Sequence, residues 1–317
     1  MPTISRTQIL RGPCQLIFNG GNPLYSKGDV TIEISTAVMG VETSGFGEVD
    51  QRALEAVHKV RFTPSGQFVL DSAQLYAPAA LGIGASLFGP TDRTLVIKPF
   101  NTGQQVQTYK NAAITRMPPL TLSAGKTVFG EVEFTCLRSD ATTWEAADSI
   151  VAASAYSAPA HTAFNSAGHL VEFWTAAWGS SPWNAFETED GWTITPEMQV
   201  NQHRVDNAVL IDLSLRSLSV RAEAVPVDTG LTEAVLMTAL GHQGAGRQRG
   251  QSLAALGSDL ILVNAGGGHQ ITLSKAALVD GRMNYGGTQP RIGRCTWRAT
   301  RTFTAGAANP LFSIVSA

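Results

Sequence analysis

Six kinds of feature in this 317-residue chain have residue types that could do chemistry. Gly82-Ile-Gly84, with Gly89 beyond it, approaches a dinucleotide loop. Leu87 stands where the third glycine is needed, and no Lys-Ser/Thr follows to reach a phosphate, so helix-end glycines account for it better. Ala265-Gly-Gly-Gly-His269 lies between two strand-like runs and reads as a hairpin turn. Gly250-Gln-Ser-Leu-Ala254 half-matches a nucleophile elbow, but its fifth position is alanine and no strand leads into Ser252. The histidines, His58, His161, His169, His203, His242 and His269, show neither HxH nor HExxH spacing, which argues against a preformed zinc site. Glu42, Glu48 and Asp50 could pose as an acid/base set, yet on a polar stretch such carboxylates are more often solvated or ion-paired. Arg247-Gln-Arg249 is a small basic loop that suits a partner carboxylate, with too little charge and aromaticity for nucleic acid. Trp174, Trp178, Trp183 and Trp192 could stack on sugars if exposed together; a packed edge or subunit interface is the favoured reading. The expectation is a chain with no catalytic, cofactor-binding or metal residues.

The elements that would position these residues are mostly strands. Composition sets the frame: the length fits two domains, and charged residues make up only 15% of the chain. Such a chain either buries much of its surface against copies of itself or is a compact, low-charge globule. The formal net charge of −2 does not advertise phosphate binding. Cys14, Cys136 and Cys295 are far apart, form no CxxC and read as reduced strand residues made in the cytosol. Met1-Pro-Thr-Ile-Ser-Arg lacks the apolar core of a signal peptide. No apolar run approaches the ~18 residues of a membrane helix.

Period-two alternation predicts strands at Asp29–Ile34, Val57–Phe62, Thr94–Lys98, Val106–Thr115 and Val128–Cys136. A helix is expected to start near Pro78, the favoured first-turn position, and another to cover Asp140–Ala153. Ser154–Ala160 is a linker by composition. The order then recurs. Leu170–Trp174 stands for the first strand and Trp192–Pro196 for Val30–Ile32. Val209–Arg216 with Leu218–Ala222 forms a long strand with a bulge near Ser217. Val220-Arg221 echoes Val60-Arg61, a helix is predicted over Thr232–Leu240, and Asp259–Val263 matches Thr94–Lys98. Ala276–Leu278 matches Ala112–Ile114, Arg282-Met283 matches Arg116-Met117, and Gly293–Trp297 matches Gly130–Phe134. A preserved order of matches at a nearly constant spacing predicts an internal duplication. The predicted fold is mainly β, a β-sandwich or barrel with a flanking helix, in two tandem similar domains, 1–157 and 158–317.

Between Ile34 and Val57 the alternation lapses into Glu42-Thr-Ser-Gly-Phe-Gly-Glu-Val-Asp50, which predicts a long inter-strand arm over 35–56. Its counterpart, Glu197–Asn207, is expected to be shorter. Gly28-Asp-Val-Thr-Ile32, Glu42-Thr43, Gly47-Glu-Val-Asp50 and Val60-Arg-Phe-Thr-Pro-Ser-Gly66 resemble the front half of major tail tube proteins of long-tailed (siphovirus) bacteriophages. Gly12-Pro-Cys-Gln-Leu-Ile-Phe-Asn-Gly-Gly21 resembles the first strand and turn of that domain.

That resemblance implies a structural virion protein, assembled in the host bacterial cytoplasm and residing in the virion tail. It implies rings stacked around a DNA-conducting channel, here trimeric and pseudo-hexameric because each chain carries two tube-like domains. It implies a tape measure protein, a tail terminator and a distal tail protein as partners, with no membrane and no sequence-specific DNA binding. Thr43, Phe46, Glu48, Asp50 and Arg52 on the arm are the expected inter-ring contacts. Two alternatives stay open: a tail-tip or distal tail ring protein, and a β-rich carbohydrate-binding adhesin using the tryptophans.

Overall fold

The computed structural model describes residues 14–21, 23–65, 73–88, 93–100, 102–123, 126–137, 151–159, 174–205, 209–227, 230–241, 252–253, 256–264, 269–288, 291–301, 303–304, 307–308 and 310–316. The described chain is mainly β, in antiparallel sheets.

In the first half, β1 (Cys14–Phe18), β2 (Leu24–Tyr25), β5 (Leu95–Pro99), β6 (Val106–Tyr109) and β11 (Val151–Ser154) form one sheet in the order β11-β6-β5-β1-β2. Facing it is β3-β4-β10-β7, built from β3 (Thr31–Thr43), β4 (Gly47–Phe62), β10 (Val132–Leu137) and β7 (Asn111–Arg116). Alternate residues of each strand point to opposite faces. Leu16, Phe18, Leu95 and Ile97 thus meet Val60, Phe62, Ile114 and Phe134 in a sandwich core. The rings of Phe18 and Phe134 lie 5.0 Å apart, and Phe62 stacks on Phe134 at 6.1 Å. Only Lys110 separates β6 from β7, so the chain passes there from one sheet to the other.

The second half pairs its strands in the same order. These are β12 (Trp174–Trp178), β13 (Thr188–Val205), β14 (Val209–Pro226), β15 (Ser258–Asn264), β16 (His269–Met283), β17 (Ile292–Arg298) and β20 (Phe312–Ser316). β13-β14-β17-β16 repeats β3-β4-β10-β7, and β20-β16-β15-β12 repeats β11-β6-β5-β1. The single strand β16 does the work of both β6 and β7. Up to Ala276 it pairs with β15 and β20, and from Ala277 with β17. Lys275, at φ 38°, marks the change. The short pair β18 (Phe303–Thr304) and β19 (Ala307–Ala308) stands apart.

The two halves are joined rather than strung together. The hairpin of β8 (Leu120–Ser123) and β9 (Lys126–Phe129), from the first half, pairs with β13 of the second. A continuous buried cluster runs through both halves. Helix α1 (Glu233–Leu240) falls where the sequence places it: Thr232 Oγ1 accepts from the Val235 amide at 3.3 Å, and Gly241 ends the helix at φ 76°. It packs on β16 at Gly281, where an added Cβ would lie 3.2 Å from Leu236.

Four expectations are corrected. The first helix is a 3-10 helix over Ala73–Ala80, with Pro78 near its end rather than its start. A proline there has no N–H to carry an α-helix onward, and Tyr76 packs on Phe312 of β20 at 4.9 Å. Of the helix expected over Asp140–Ala153, residues 140–150 lie outside the described residues. Val151–Ser154 is strand β11, registered on β6 from Val151↔Tyr109 to Ser154↔Val106. The arm over 35–56 is not a loop. β3 and β4 stay paired from Thr31↔Arg61 to Thr43↔Gly47, through two register shifts, and turn only at Ser44–Phe46. Its counterpart is no shorter, since β13 and β14 pair out to Val205↔Val209. The expected bulge is present: Gln199 faces Ser217 while Val200 faces Leu215, leaving Arg216 extra.

Candidate assembly interface

The hairpin β3–β4 leaves the sandwich and exposes both of its faces. Ile34 is 63% exposed, Val38 56%, Val49 51% and Phe46, at the tip, 89%. A two-stranded ribbon without a covered face is marginal in water, and apolar residues grouped in this way mark an interaction site. β3 is also the outer strand of its sheet, with no neighbour on its far side among the described residues. Unpaired strand edges invite another chain.

The tip carries the residues singled out in the sequence. Thr43 ends β3, Phe46 crowns the turn, and Glu48 and Asp50 lie exposed at the start of β4. Arg52 sits in β4 opposite Met39; its side chain lies outside the described residues. Asp50 Oδ1 accepts from the Gln51 amide at 2.8 Å. Glu42 and Glu48 are directly opposed across the ribbon, a like-charge pairing that a cationic partner would relieve. From Gly28 to Gln51 the chain has Asp29, Glu33, Glu42, Glu48 and Asp50, and neither Lys nor Arg.

At the hairpin's base, on the face away from the core, Arg61 Nε donates to Glu133 at 2.7 Å and its Nη1 reaches Glu33 at 3.2 Å. Thr115 Oγ1 donates to Glu133 at 2.9 Å. Burial pushes the Glu133 carboxyl up, but the bonds from Arg61 and Thr115 and the charges of Lys59 and Arg61 outweigh it and hold it below its ordinary range. The second hairpin carries the same diagonal pair: Arg221 reaches Glu197 at 2.9 Å. Arg294–Glu223 at 3.5 Å and Arg116–Glu131 at 3.3 Å add further cross-strand pairs.

The distal half of β13–β14 is built into the molecule. Leu210, Leu213 and Leu215 bury against Val57, Ala113 and Leu137 of the first half, with Leu87 and Phe88. The segment 84–88 closes the free edge of β14: Gly84 N donates to Leu215 O at 2.7 Å, Leu215 N to Ala85 O at 3.0 Å and Leu87 N to Leu213 O at 2.8 Å. Nearer the core, β8 closes the free edge of β13, setting Leu120 opposite Ile194 and Leu122 opposite Trp192, all four fully buried. Gly191 makes this joint possible. It stands at φ 79°, and a Cβ there would lie 1.9 Å from Leu122 O. Sequence reading missed this residue; its only signal was a glycine immediately before an alternating run.

The remaining candidates do not converge. Gly82 and Gly84 are exposed, and Ser252 is exposed. Gly89, Arg247, Arg249, Gly250, His161, His169 and His242 lie outside the described residues, as does 265–268. His58 lies edge-on to Tyr109, its rings' centroids 5.8 Å apart, His203 shares a 2.6 Å hydrogen bond with Ser214, and His269 is buried. Burial pushes the His58 and His269 pKa values down, the Cys14 thiol up to about 11 and the Cys295 thiol up to about 12. All three cysteines are free thiols. Trp174, Trp178, Trp183 and Trp192 are buried, most of them packed around Trp297 and Phe186, so they offer no exposed platform for a sugar. Among the described residues no group of three or more His, Cys, Asp or Glu is placed to hold a metal ion. None of their helices is long and apolar enough to cross a membrane. No protein-family model matches the chain, and no curated protein matches its sequence.

Proposed function

We propose that this chain is a structural subunit of a bacteriophage tail tube. It closes with two further copies into a trimeric, pseudo-hexameric ring, and the rings stack into a conduit for DNA. The carrying observation is the hairpin β3–β4: two long strands with an open edge and with Ile34, Val38, Phe46 and Val49 exposed. Such a ribbon needs a covering partner, and another copy of the same chain is the partner a self-assembling subunit always has. The shared pairing order of the two halves supports three copies per ring, because each chain then supplies two equivalent sectors. The tip residues Thr43, Phe46, Glu48, Asp50 and Arg52 are the ring-to-ring contacts in this reading.

Passage of DNA is supported by the sheet face opposite the core. Several of its charges are paired across strands, as in Glu33–Arg61–Glu133, Glu197–Arg221 and Glu223–Arg294. A wall of paired charges releases few counterions on meeting phosphate, so DNA is not held. The tape measure protein, tail terminator and distal tail protein belong to this reading as partners. Negative-stain electron microscopy of the purified full-length chain tests it. Long tubes with threefold rings are expected. Single rings that never stack would favour a tail-tip protein, and a stable monomer at high concentration would overturn assembly altogether.

A further inference from the structure

We infer that the joint between the two halves of one chain is the template for the joint between copies: the 284–288 end of the β16–β17 pair docks on the outer edge of the β3 strand, where the chain enters it at residues 28–30, of the next copy. This rests on the self-assembly reading and adds the contact that closes the ring.

Inside the chain, the β7–β10 pair extends past its own sheet as β8–β9, and β8 completes the outer edge of β13. In the second half β16–β17 occupies the place of β7–β10, and β3 occupies in the first half the place of β13 in the second. Among the described residues, one of the two possible joints is made and the other is open at both ends. The acceptor positions show the difference. Trp192 and Ile194, under β8, are fully buried, whereas their counterparts in the first half, with Arg61 matched to Arg221, are Gly28, which is exposed, and Val30, which is half-buried; farther along β3 Ile32 is 36% exposed and Ile34 63%. On the donor side, Leu120 and Leu122 of β8 are fully buried, whereas Tyr285, just beyond Met283 as Leu120 lies just beyond Met117, is 70% exposed. Asn284 N donates to Arg291 O at 2.8 Å, and Gly286 and Gly287 stand at φ 85° and 80°.

Charge points to the same occupant. The donor end carries Arg282, Arg291 and Arg298, all exposed, besides Arg294, which is paired with Glu223, and has no acid from Arg282 to Arg298. The acceptor ribbon from Gly28 to Gln51 carries acids alone. Complementary charge of this kind steers encounter and fixes register, while two acceptor ribbons would repel one another. The contact is head-to-tail, so three copies close a ring instead of pairing off as a twofold dimer.

The test uses the full-length chain with Val30→Cys and Tyr285→Cys combined, Val30 standing where Ile194 faces Leu120, oxidised after assembly, beside each single variant. Covalent dimers and trimers on a non-reducing gel, absent from the single variants, are expected. Tyr285→Asp, a change at an exposed position, is expected to leave the monomer's melting temperature within a few degrees while removing rings. Normal rings from Tyr285→Asp, with no cross-link in the double variant, would overturn this joint and leave self-assembly standing. A wild-type chain that stays monomeric would overturn both.

Discussion

The hairpins β3–β4 and β13–β14 occupy the same place in the pairing order and are of similar length, yet they live in different surroundings. β13–β14 has β8 along part of one edge and the segment 84–88 along part of the other, and its leucines sit in a core. Beyond its base, β3–β4 is exposed at its described side chains from Ile34 to Gln51, Val41 in part, and among the described residues no strand pairs along the outer edge of β3. Strand-forming residues are plentiful in both. What differs is whether the same chain supplies the covering elements. A long ribbon can therefore be part of the fold or part of the assembly without changing its local chemistry much.

The largest effect that would break this contrast lies in the second hairpin. Leu215→Ala removes a fully buried side chain from the cluster with Val57 and Leu137, and should cost about 2–5 kcal/mol in denaturant unfolding. Ile34→Ala, at an exposed position of the first hairpin, should change monomer stability by no more than about 0.5 kcal/mol. Equal losses at the two sites would mean that both ribbons belong to the monomer's core.

Next in size is Phe46→Ala, with deletion of Thr43–Val49 as its stronger form. Burying such a ring in a neighbouring copy is worth roughly 1.5–3 kcal/mol per contact, and a ring repeats the contact in every copy. The monomer should melt unchanged while tubes shorten or vanish under the microscope. Tubes of normal length from the deletion variant would leave the tip as an ornament and move the assembly contact elsewhere on the ribbon.

A comparable cost falls on the joint. Gly191→Ala forces a Cβ into Leu122 O at a left-handed backbone position, and should cost about 1–3 kcal/mol. Hydrogen exchange should then rise first in Leu120–Ser123 and Trp192–Ile194. Protection unchanged there would show that β8 docks without needing the glycine.

Much of this architecture was legible because one-sided burial writes alternation into sequence. Asp259–Val263 and Gly293–Trp297 became β15 and β17, and Thr232 with Gly241 bounded α1. The ribbon 35–56 was not legible as strand, because alternation records a covered face, and among the described residues the side chains from Val38 to Gln51 show none. Leu120-Thr-Leu122 did alternate, but period two announces a strand and says nothing of which half it pairs with. Single runs such as Val106–Thr115 and Val128–Cys136 break at Lys110 and at Gly130-Glu131, where the chain changes sheet or begins a new pairing. Phe46, Glu48 and Asp50 were found as a group from their polar, glycine-rich setting, and they do meet at one tip. Tyr285 and Gly191 gave no such signal, since one exposed tyrosine or one glycine is unremarkable until its surroundings are known.

The smallest effect separates the two hairpins by a single ion pair. Arg221 and Glu197 are both about half exposed, at 49% and 56%, and Arg221→Ala should cost under about 1 kcal/mol. Arg61 serves the equivalent diagonal pair with Glu33 but also bonds Glu133, which is only 17% exposed. Arg61→Ala therefore leaves a half-buried carboxylate without its main donor, and should cost about 1–2 kcal/mol. The pH dependence sharpens the difference. Glu133 is held below its ordinary range in the folded chain, so it contributes stability that is present above the unfolded glutamate pKa, about 4.3, and is lost as pH falls through the lower folded value. Without Arg61, its bond and its charge no longer hold Glu133 down, and the folded pKa rises towards the unfolded value, so less of the residue's stability is left to lose as pH falls. Denaturant unfolding of Arg61→Ala between pH 7 and pH 3 should thus lose less on acidification than wild type, while Arg221→Ala should run nearly parallel to wild type. Parallel curves for all three would mean that Glu133 does not depend on Arg61, and that the two hairpin bases are energetically alike.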